Sequence, residues 1–416
     1  MNLLADSHEI ITNILINKKS FTKSVNAFFQ TRARDSFEIK NIIKIYLLFF
    51  KKYYYFEALT KELLTKATPS LITYLGVSLI YLRLYKSEKV NVIEFLKRAL
   101  KNNKEKYNAD IENILIDYSN NEEYQLKNIE QGSFEYYSIV FNLPLWFIKM
   151  IFSQQNKENV KVILESFKTK REQHFLKSKL ADLDEINSEE LKEFREIDDH
   201  LFKTENLKSE LISNRTFIKS SSFFEKIFKN KLRINNRYIT LYQAEINTFY
   251  YRFLNEYLYL NNVLNIFVES HYENSELIKK VMPKVIKDLS IHESSVGELI
   301  CYLRAKQDII FYEPKSTCFE KFFIIPEYRV IFNQNSIDGL IKKQKEGLQE
   351  ISTYLENNGK LIYLVETLDV KETKNVTKEF LDKNADFVLE KEECILPKES
   401  DKSIGYYAIL KRVEHA

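Results

Sequence analysis

The chain has 416 residues, room for two or three domains at about 100–200 residues each. It holds 7 Gly and 6 Pro, where average usage would give about 29 Gly, and this excludes collagen-like, Gly/Ser-linker and Pro-rich designs. The 62 Lys+Arg against 59 Asp+Glu leave a net charge of +3, so a nucleic-acid partner has to be held by local patches.

The glycines at 76, 132, 297, 339, 347, 359 and 405 form no GxGxxG or GxxxxGK phosphate loop. Hydrophobic residues make up 44%, with 26 Tyr and 30 Phe, enough to bury several cores. Cys301, Cys318 and Cys394 form no CxxC or disulfide framework, and six scattered His offer no HExxH, so a reducing compartment and no metal site are expected. The opening MNLLADSHEI lacks the basic and apolar regions of a signal peptide, and the uncharged run Ala67 to Leu82 covers 16 residues and contains Pro69. A membrane span needs about 20 apolar residues. A soluble, cytoplasmic protein without a membrane partner is expected.

Residues 1–118 read as helix after helix. Leu71, Ile72, Leu75, Leu79, Ile80 and Leu82 recur at helical spacing behind Pro69, predicting a buried helix over 70–85. The next helix, 90–100, turns Val90, Ile93, Phe95, Leu96 and Leu100 inward, while Lys97, Arg98 and Lys101 make its outer side basic. Such a face is either simply solvated or a nucleic-acid contact. A polar stretch, 119–131, reads as a linker, and a helix to about residue 167 follows Leu143-Pro144-Leu145-Trp146. Lys170 and Arg171 belong to a basic segment, after which Asp182 to Asp199 holds nine acidic residues, an exposed helix or loop. Arg215 to Arg237, including Arg233, interleaves seven basic residues with Phe217, Phe223, Phe224 and Phe228. This is either an RNA surface or a half-buried β/α element with a wet basic side.

From residue 236 strands and helices alternate. Strands are predicted over 237–241, 263–268, 284–289, 308–312, 360–365, 387–390 and 406–411, and helices over 244–260, 275–282, 294–304, 337–356 and 375–383. The pattern implies a parallel sheet with helices on both faces.

In this order the pieces resemble the bacterial 16S rRNA cytosine-5 methyltransferases of the RsmB/Sun-like type. Such a chain joins an all-α NusB-like N-terminal domain, a small α+β linker subdomain and a C-terminal α/β Rossmann-like SAM-dependent domain. The quoted residues are Leu143 to Trp146, Ile239 to Ala244 (ITLYQA), Leu340 to Gln344, Asn358 to Tyr363 and Gly405 to Ala408. The resemblance implies a NusB-like RNA- or protein-binding domain at 1–118, a linker subdomain at 119–235 and a methyltransferase-type domain at 236–416.

In the family, the first strand runs into a glycine-rich loop that approaches SAM. Taking 263–268 as that strand puts His271 and Tyr272 on the glycine positions, Glu273 on the Lys position and Asn265 on the Asp position. A Cβ at either glycine position obstructs that approach. Asp288 then stands where an acid holds the ribose hydroxyls, or is a cap or turn residue. The family adds a Cys thiolate to cytosine C6 and uses a second Cys in product release. Lys315 and Glu366 occupy those positions, in Tyr312-Glu313-Pro314-Lys315 and Tyr363-Leu364-Val365-Glu366. Neither forms a thioether adduct. Cys318 is the one rescue candidate, or a small buried hydrophobe, and Lys315 and Glu366 are candidates for an ion pair. The short chain between Arg304 and Asp308 suggests a missing strand and a truncated cofactor pocket.

These readings predict an RNA-binding, catalytically degenerate member of the family, without cofactor, or with SAM if active, working in rRNA processing or ribosome assembly. Its RNA track comprises Lys97, Arg98, Lys101, Lys170, Arg171, Arg233 and Arg237; rRNA and ribosomal or transcription proteins are its expected partners. Three alternatives stay open: an active SAM-dependent rRNA methyltransferase, a NusB-like protein-interaction module, and an unrelated helical plus α/β protein.

Overall fold

The computed structural model describes residues 2–30, 36–169, 174–177, 195–198, 201–203, 217–229, 238–244, 249, 253, 256–257, 263–269, 289–303, 305–397 and 403–414. The chain divides into two compact units, Met1–Lys157 with Lys321–Gln334, and Glu158–Glu320 with Asn335–Ala416.

The first unit is helical, with helices Asn2–Asn17, Phe21–Phe29, Ser36–Phe50, Tyr53–Leu63, Pro69–Leu84, Lys89–Asn102 and Ala109–Ser119, followed by Phe134–Phe141 and Leu145–Gln154. Pro69–Leu84 is the central one. Thr68 caps it by accepting from the Leu71 amide at 3.3 Å, Pro69 presets its first turn, and Leu71 to Leu82 are buried except Tyr74. Apolar residues all round are the mark of a helix enclosed by its neighbours. Gly76 lets it approach Ser36–Phe50, since a Cβ there would lie 2.7 Å from Phe49 Cε2. Gly76→Ala is expected to cost about 2 kcal/mol through overpacking, read as a shift in denaturation midpoint; an unchanged midpoint would refute the close packing.

Residues 321–334 belong to this unit although they follow a strand of the other. Two buried polar groups hold them. Glu327 accepts from the Phe21 amide at 2.9 Å and from the Tyr46 hydroxyl. Arg329 donates from Nε to the Phe322 carbonyl at 2.7 Å and from Nη1 to the Asn142 carbonyl at 3.1 Å, while its own carbonyl accepts from Tyr54 at 2.8 Å. Burial brings the Arg329 guanidinium down to about 10. Asn142 adopts the left-handed conformation (φ 51°) that ends its helix, and its amide donates to the Phe50 carbonyl at 2.7 Å. Trp146 packs against Phe147, Phe322 and Phe332.

In the second unit a small antiparallel sheet contains β1 (His174–Lys177), β2 (Arg195–Asp198), β3 (Leu201–Lys203) and β4 (Phe217–Ser220), in the order β2-β3-β1-β4. The helix Ser222–Lys229 follows. Phe223, Phe224 and Phe228 are buried, Phe224 and Phe228 against Phe249 and Phe228 also against Phe311, so these aromatics form core and are not a stacking surface for RNA. The half-buried reading of Arg215 to Arg237 holds for these three residues.

The large sheet comprises β5 (Tyr238–Gln243), β6 (Val263–Val268), β7 (Leu289–Glu293), β8 (Gln307–Glu313), β9 (Leu355–Val365), β10 (Phe387–Ile395) and β11 (Gly405–Arg412), in the order β10-β11-β9-β8-β5-β6-β7. Neighbours from β7 through β9 are parallel, and β11 runs antiparallel to β9 and β10. One face buries Phe224, Phe249, Phe253 and Tyr257 against Phe311 and Ile266; the other buries Leu348, Ile351, Val376 and Phe380 against Tyr363 and Leu361.

This sheet corrects the missing strand. Tyr238–Gln243 is an interior strand, between β8 and β6, and the first of the sheet in the chain, with β6 second and β7, at 289–293, third. The strand expected over 284–289 lies outside the described residues except at its last residue. Of the described residues, none forms a helix long and apolar enough to cross a membrane.

Candidate functional site

In an open α/β sheet ligands bind beyond the carboxyl ends of the strands, where strand order reverses. Here that point is the end of β5, between β6 and β8. A cavity of about 460 Å³ opens there, within the size range of small-molecule sites. Each strand end contributes to its wall: Tyr242 and Ala244 from β5, Glu269 after β6, Val296 after β7, and Tyr312, Pro314 and Lys315 from β8. The helix Ile337–Ser352 closes it with Leu340, Lys343, Glu346, Gly347 and Glu350.

The wall is held by buried polar contacts. The Tyr242 hydroxyl donates to Glu269 and accepts from the Val296 amide, and burial followed by the Glu269 charge pushes its acidity far from reach. A Cβ at 347 would overlap the Tyr312 hydroxyl, so glycine there gives Tyr312 its place. Gln243 donates to the Glu313 carboxylate across β5 and β8.

The loop after β8 is locked from below. Glu372, fully buried, accepts from the Thr317 amide at 3.0 Å, the Thr317 hydroxyl at 2.6 Å and Gln344 Nε2 at 2.9 Å. Gln344 also donates to the Lys315 carbonyl at 2.9 Å, and the Tyr363 hydroxyl donates to the Glu372 carbonyl at 2.7 Å. Burial raises the Glu372 carboxyl, while its hydrogen bonds to Thr317 and Gln344 pull it back.

The two cysteine positions separate. Lys315 is exposed and lines the cavity. Glu366 faces Cys318, whose thiol donates at 3.1 Å, and the carboxylates of Glu320 and Glu313. Burial and those two carboxylates hold the Glu366 carboxyl well above the usual range. This is the reverse of the direction in which an ammonium partner would move it. Cys318 adopts φ 48° in the tight loop and donates to the Glu366 carboxyl, whereas reactive cysteines sit by cations, imidazoles or helix N-termini.

The new strand count also moves the cofactor frame by one strand. Asn265 is the third residue of β6, about 13 Å along the strand from Glu269. Its carbonyl accepts from the Ser290 hydroxyl at 2.7 Å and its amide donates to Gln307 at 3.3 Å, in a polar row that includes Thr240. It is a sheet-interior residue away from the cavity, which corrects its assignment to the cofactor. Glu269 takes the position after the second strand that the resemblance gives to a ribose-holding acid. His271, Tyr272, Glu273 and Asp288 lie outside the described residues. The segment 244–250 after β5 contains no glycine either, so the glycine loop is missing in the corrected frame too.

Lys97, Arg98 and Lys101 share the exposed side of one helix. Lys97 lies 4.8 Å from the centre of the Tyr107 ring, and Arg98 pairs with Glu94 one turn back at 3.2 Å. Lys170, Arg171, Arg233 and Arg237 lie outside the described residues. Among the described residues no cluster of His, Cys, Asp and Glu could hold a metal ion.

No protein-family model matches the sequence, and no curated protein matches it. Solved structures do. PH0851 has 14% identity and a TM-score of 0.69, over 98% of this chain and 99% of that one. A methyltransferase homolog protein from Pyrococcus horikoshii has 13% identity and a TM-score of 0.52, over 68% of this chain and 100% of that one. At these identities the likeness is one of fold, and the fold is a helical N-terminal region with a Rossmann-like methyltransferase sheet.

Proposed function

We propose that the protein is an RNA-binding relative of the SAM-dependent RNA methyltransferases that retains a nucleoside-binding cavity and has lost cytosine-5 chemistry, with a role in rRNA processing or ribosome assembly. The carrying observation is the pair of nucleophile positions: Lys315 is an amine at the cavity, and Glu366 a carboxyl that accepts from the Cys318 thiol and is raised by burial and by the Glu320 and Glu313 carboxylates. SAM fits the cavity chemically, with Glu269 for the ribose hydroxyls, Val296 as an apolar wall and Lys315 as a cation. When bound, SAM would supply an electrophilic methyl group. This chain's residues would hold and orient it, with no thiolate at either family position to activate cytosine.

The cavity itself favours one second reading, an active methyltransferase using Cys318. The two separate on RNA carrying 5-fluorocytidine, offered with SAM. No methyl transfer and no denaturation-resistant protein–RNA adduct are expected. An adduct that disappears in Cys318→Ala would establish the second reading.

The NusB-like assignment of residues 1–118, with 119–235 as linker and 236–416 as methyltransferase-type domain, completes the proposal, and the exposed Lys97, Arg98 and Lys101 support RNA docking by the helices. Charge reversal at all three should flatten the slope of log affinity against log salt by about 2, since each single-strand phosphate contact contributes about 0.7. Unchanged RNA binding would instead make the helical domain a protein-docking module.

A further inference from the structure

The cavity carries charge on opposite walls. Glu269 stands at the end of β6 and Lys315 just past the end of β8, with β5 between them. Neighbouring strands lie about 4.8 Å apart, so these two strand ends are separated by about 10 Å. A ligand that engages both walls brings hydroxyls to Glu269 and an anionic group to Lys315; a nucleoside extended through its 5′ position by an amino-acid chain carries both. The far end of such a ligand is a carboxylate, the natural partner of an ammonium.

The root of Lys315 is also fixed. Its carbonyl accepts from Gln344 at 2.9 Å, and two residues later the Thr317 amide donates to buried Glu372 at 3.0 Å. Less ordering remains to be done when a ligand arrives.

Resting on the reading of the cavity as a nucleoside site, we propose that Lys315 is a ligand-binding residue that takes the α-carboxylate of an adenosyl amino acid. The position that the resemblance assigns to a nucleophile has then become a binding position. Lys343, also on the cavity wall, projects from the helix Ile337–Ser352 and lacks this placement next to β5.

The test is calorimetry on the full chain with two probes, S-adenosylhomocysteine and 5′-methylthioadenosine. The second keeps the nucleoside and the sulfur but has no amino-acid carboxylate. Lys315→Met should weaken S-adenosylhomocysteine by roughly tenfold or more, the worth of one charge-assisted hydrogen bond, and leave 5′-methylthioadenosine within about twofold. Glu269→Gln should weaken both probes alike, and Lys315→Arg should restore much of the selectivity. Thermal melts check that each variant is folded. Equal affinities of Lys315→Met and the parent for S-adenosylhomocysteine would overturn the role of Lys315 while leaving the nucleoside site standing, as would a selective loss in Lys343→Met instead. Failure of the parent to bind either probe would overturn the nucleoside site and this inference together.

Discussion

Glu372→Ala is expected to destabilise the protein by about 3 kcal/mol, within the range for breaking a buried, hydrogen-bonded charged group. The substitution removes the acceptor for the Thr317 amide, the Thr317 hydroxyl and Gln344 Nε2 at once, and leaves those donors buried. Glu372→Gln keeps the shape and one acceptor oxygen, so it should cost about 1 kcal/mol. Chemical denaturation of the three proteins measures both differences. Because the loop that Glu372 holds carries Lys315, the alanine variant should also lose affinity for S-adenosylhomocysteine at temperatures where it is still folded. Full stability in Glu372→Ala would show that the loop is held by other contacts.

Glu366→Gln should stabilise the protein increasingly as pH rises above the ordinary carboxylate range. The sign follows from the acidity of Glu366. Burial, then the Glu320 and Glu313 carboxylates, raise the folded carboxyl well above its unfolded value. Its contribution to stability is therefore complete below the unfolded value and is lost as pH climbs through the folded one. Glutamine keeps the size of the side chain and an acceptor for Cys318 but has no proton to lose. Thermal melts of parent and variant above this range should diverge toward alkaline pH, with the variant the more stable. A constant difference at all pH values would mean that Glu366 does not titrate in this window. Lys315→Met should leave the pH dependence of the parent as it is, since Lys315 is turned to the cavity; a steeper dependence in that variant would restore the ion pair.

Much of the architecture is readable from hydrophobic spacing alone. The helices at 69–84, 89–102, 337–352 and 374–383 and the strands at 263–268, 307–313 and 405–412 lie close to their predicted bounds, although Val90, expected inward, is exposed and Val92 is buried instead. The first sheet strand was harder to rank. Tyr238–Gln243 is buried along nearly its whole length but contains Thr240 and Gln243, polar groups that are acceptable inside only because Gln307 and Glu313 of β8 receive them. Those partners are about 70 residues away in sequence, invisible to any local pattern. Apolarity alone therefore ranks Val263–Val268 first, which carries the glycine frame and the ribose acid one strand too far. Taking the strand predicted at 237–241 as the first of the sheet leads to Glu269.

The excursion of residues 321–334 sets how this protein can be dissected. The chain passes between its two units at residue 157, again after Glu320 and once more before Asn335. A single cut therefore never yields two self-sufficient halves: residues 1–157 alone would expose Trp146, Phe21 and Tyr46 where Phe322, Phe332 and Glu327 belong. Limited proteolysis, truncation and domain exchange with other proteins all have to respect this. A separable α/β unit requires Glu320 to be rejoined to Asn335, and a separable helical unit requires the excised peptide to be supplied back, covalently or in trans.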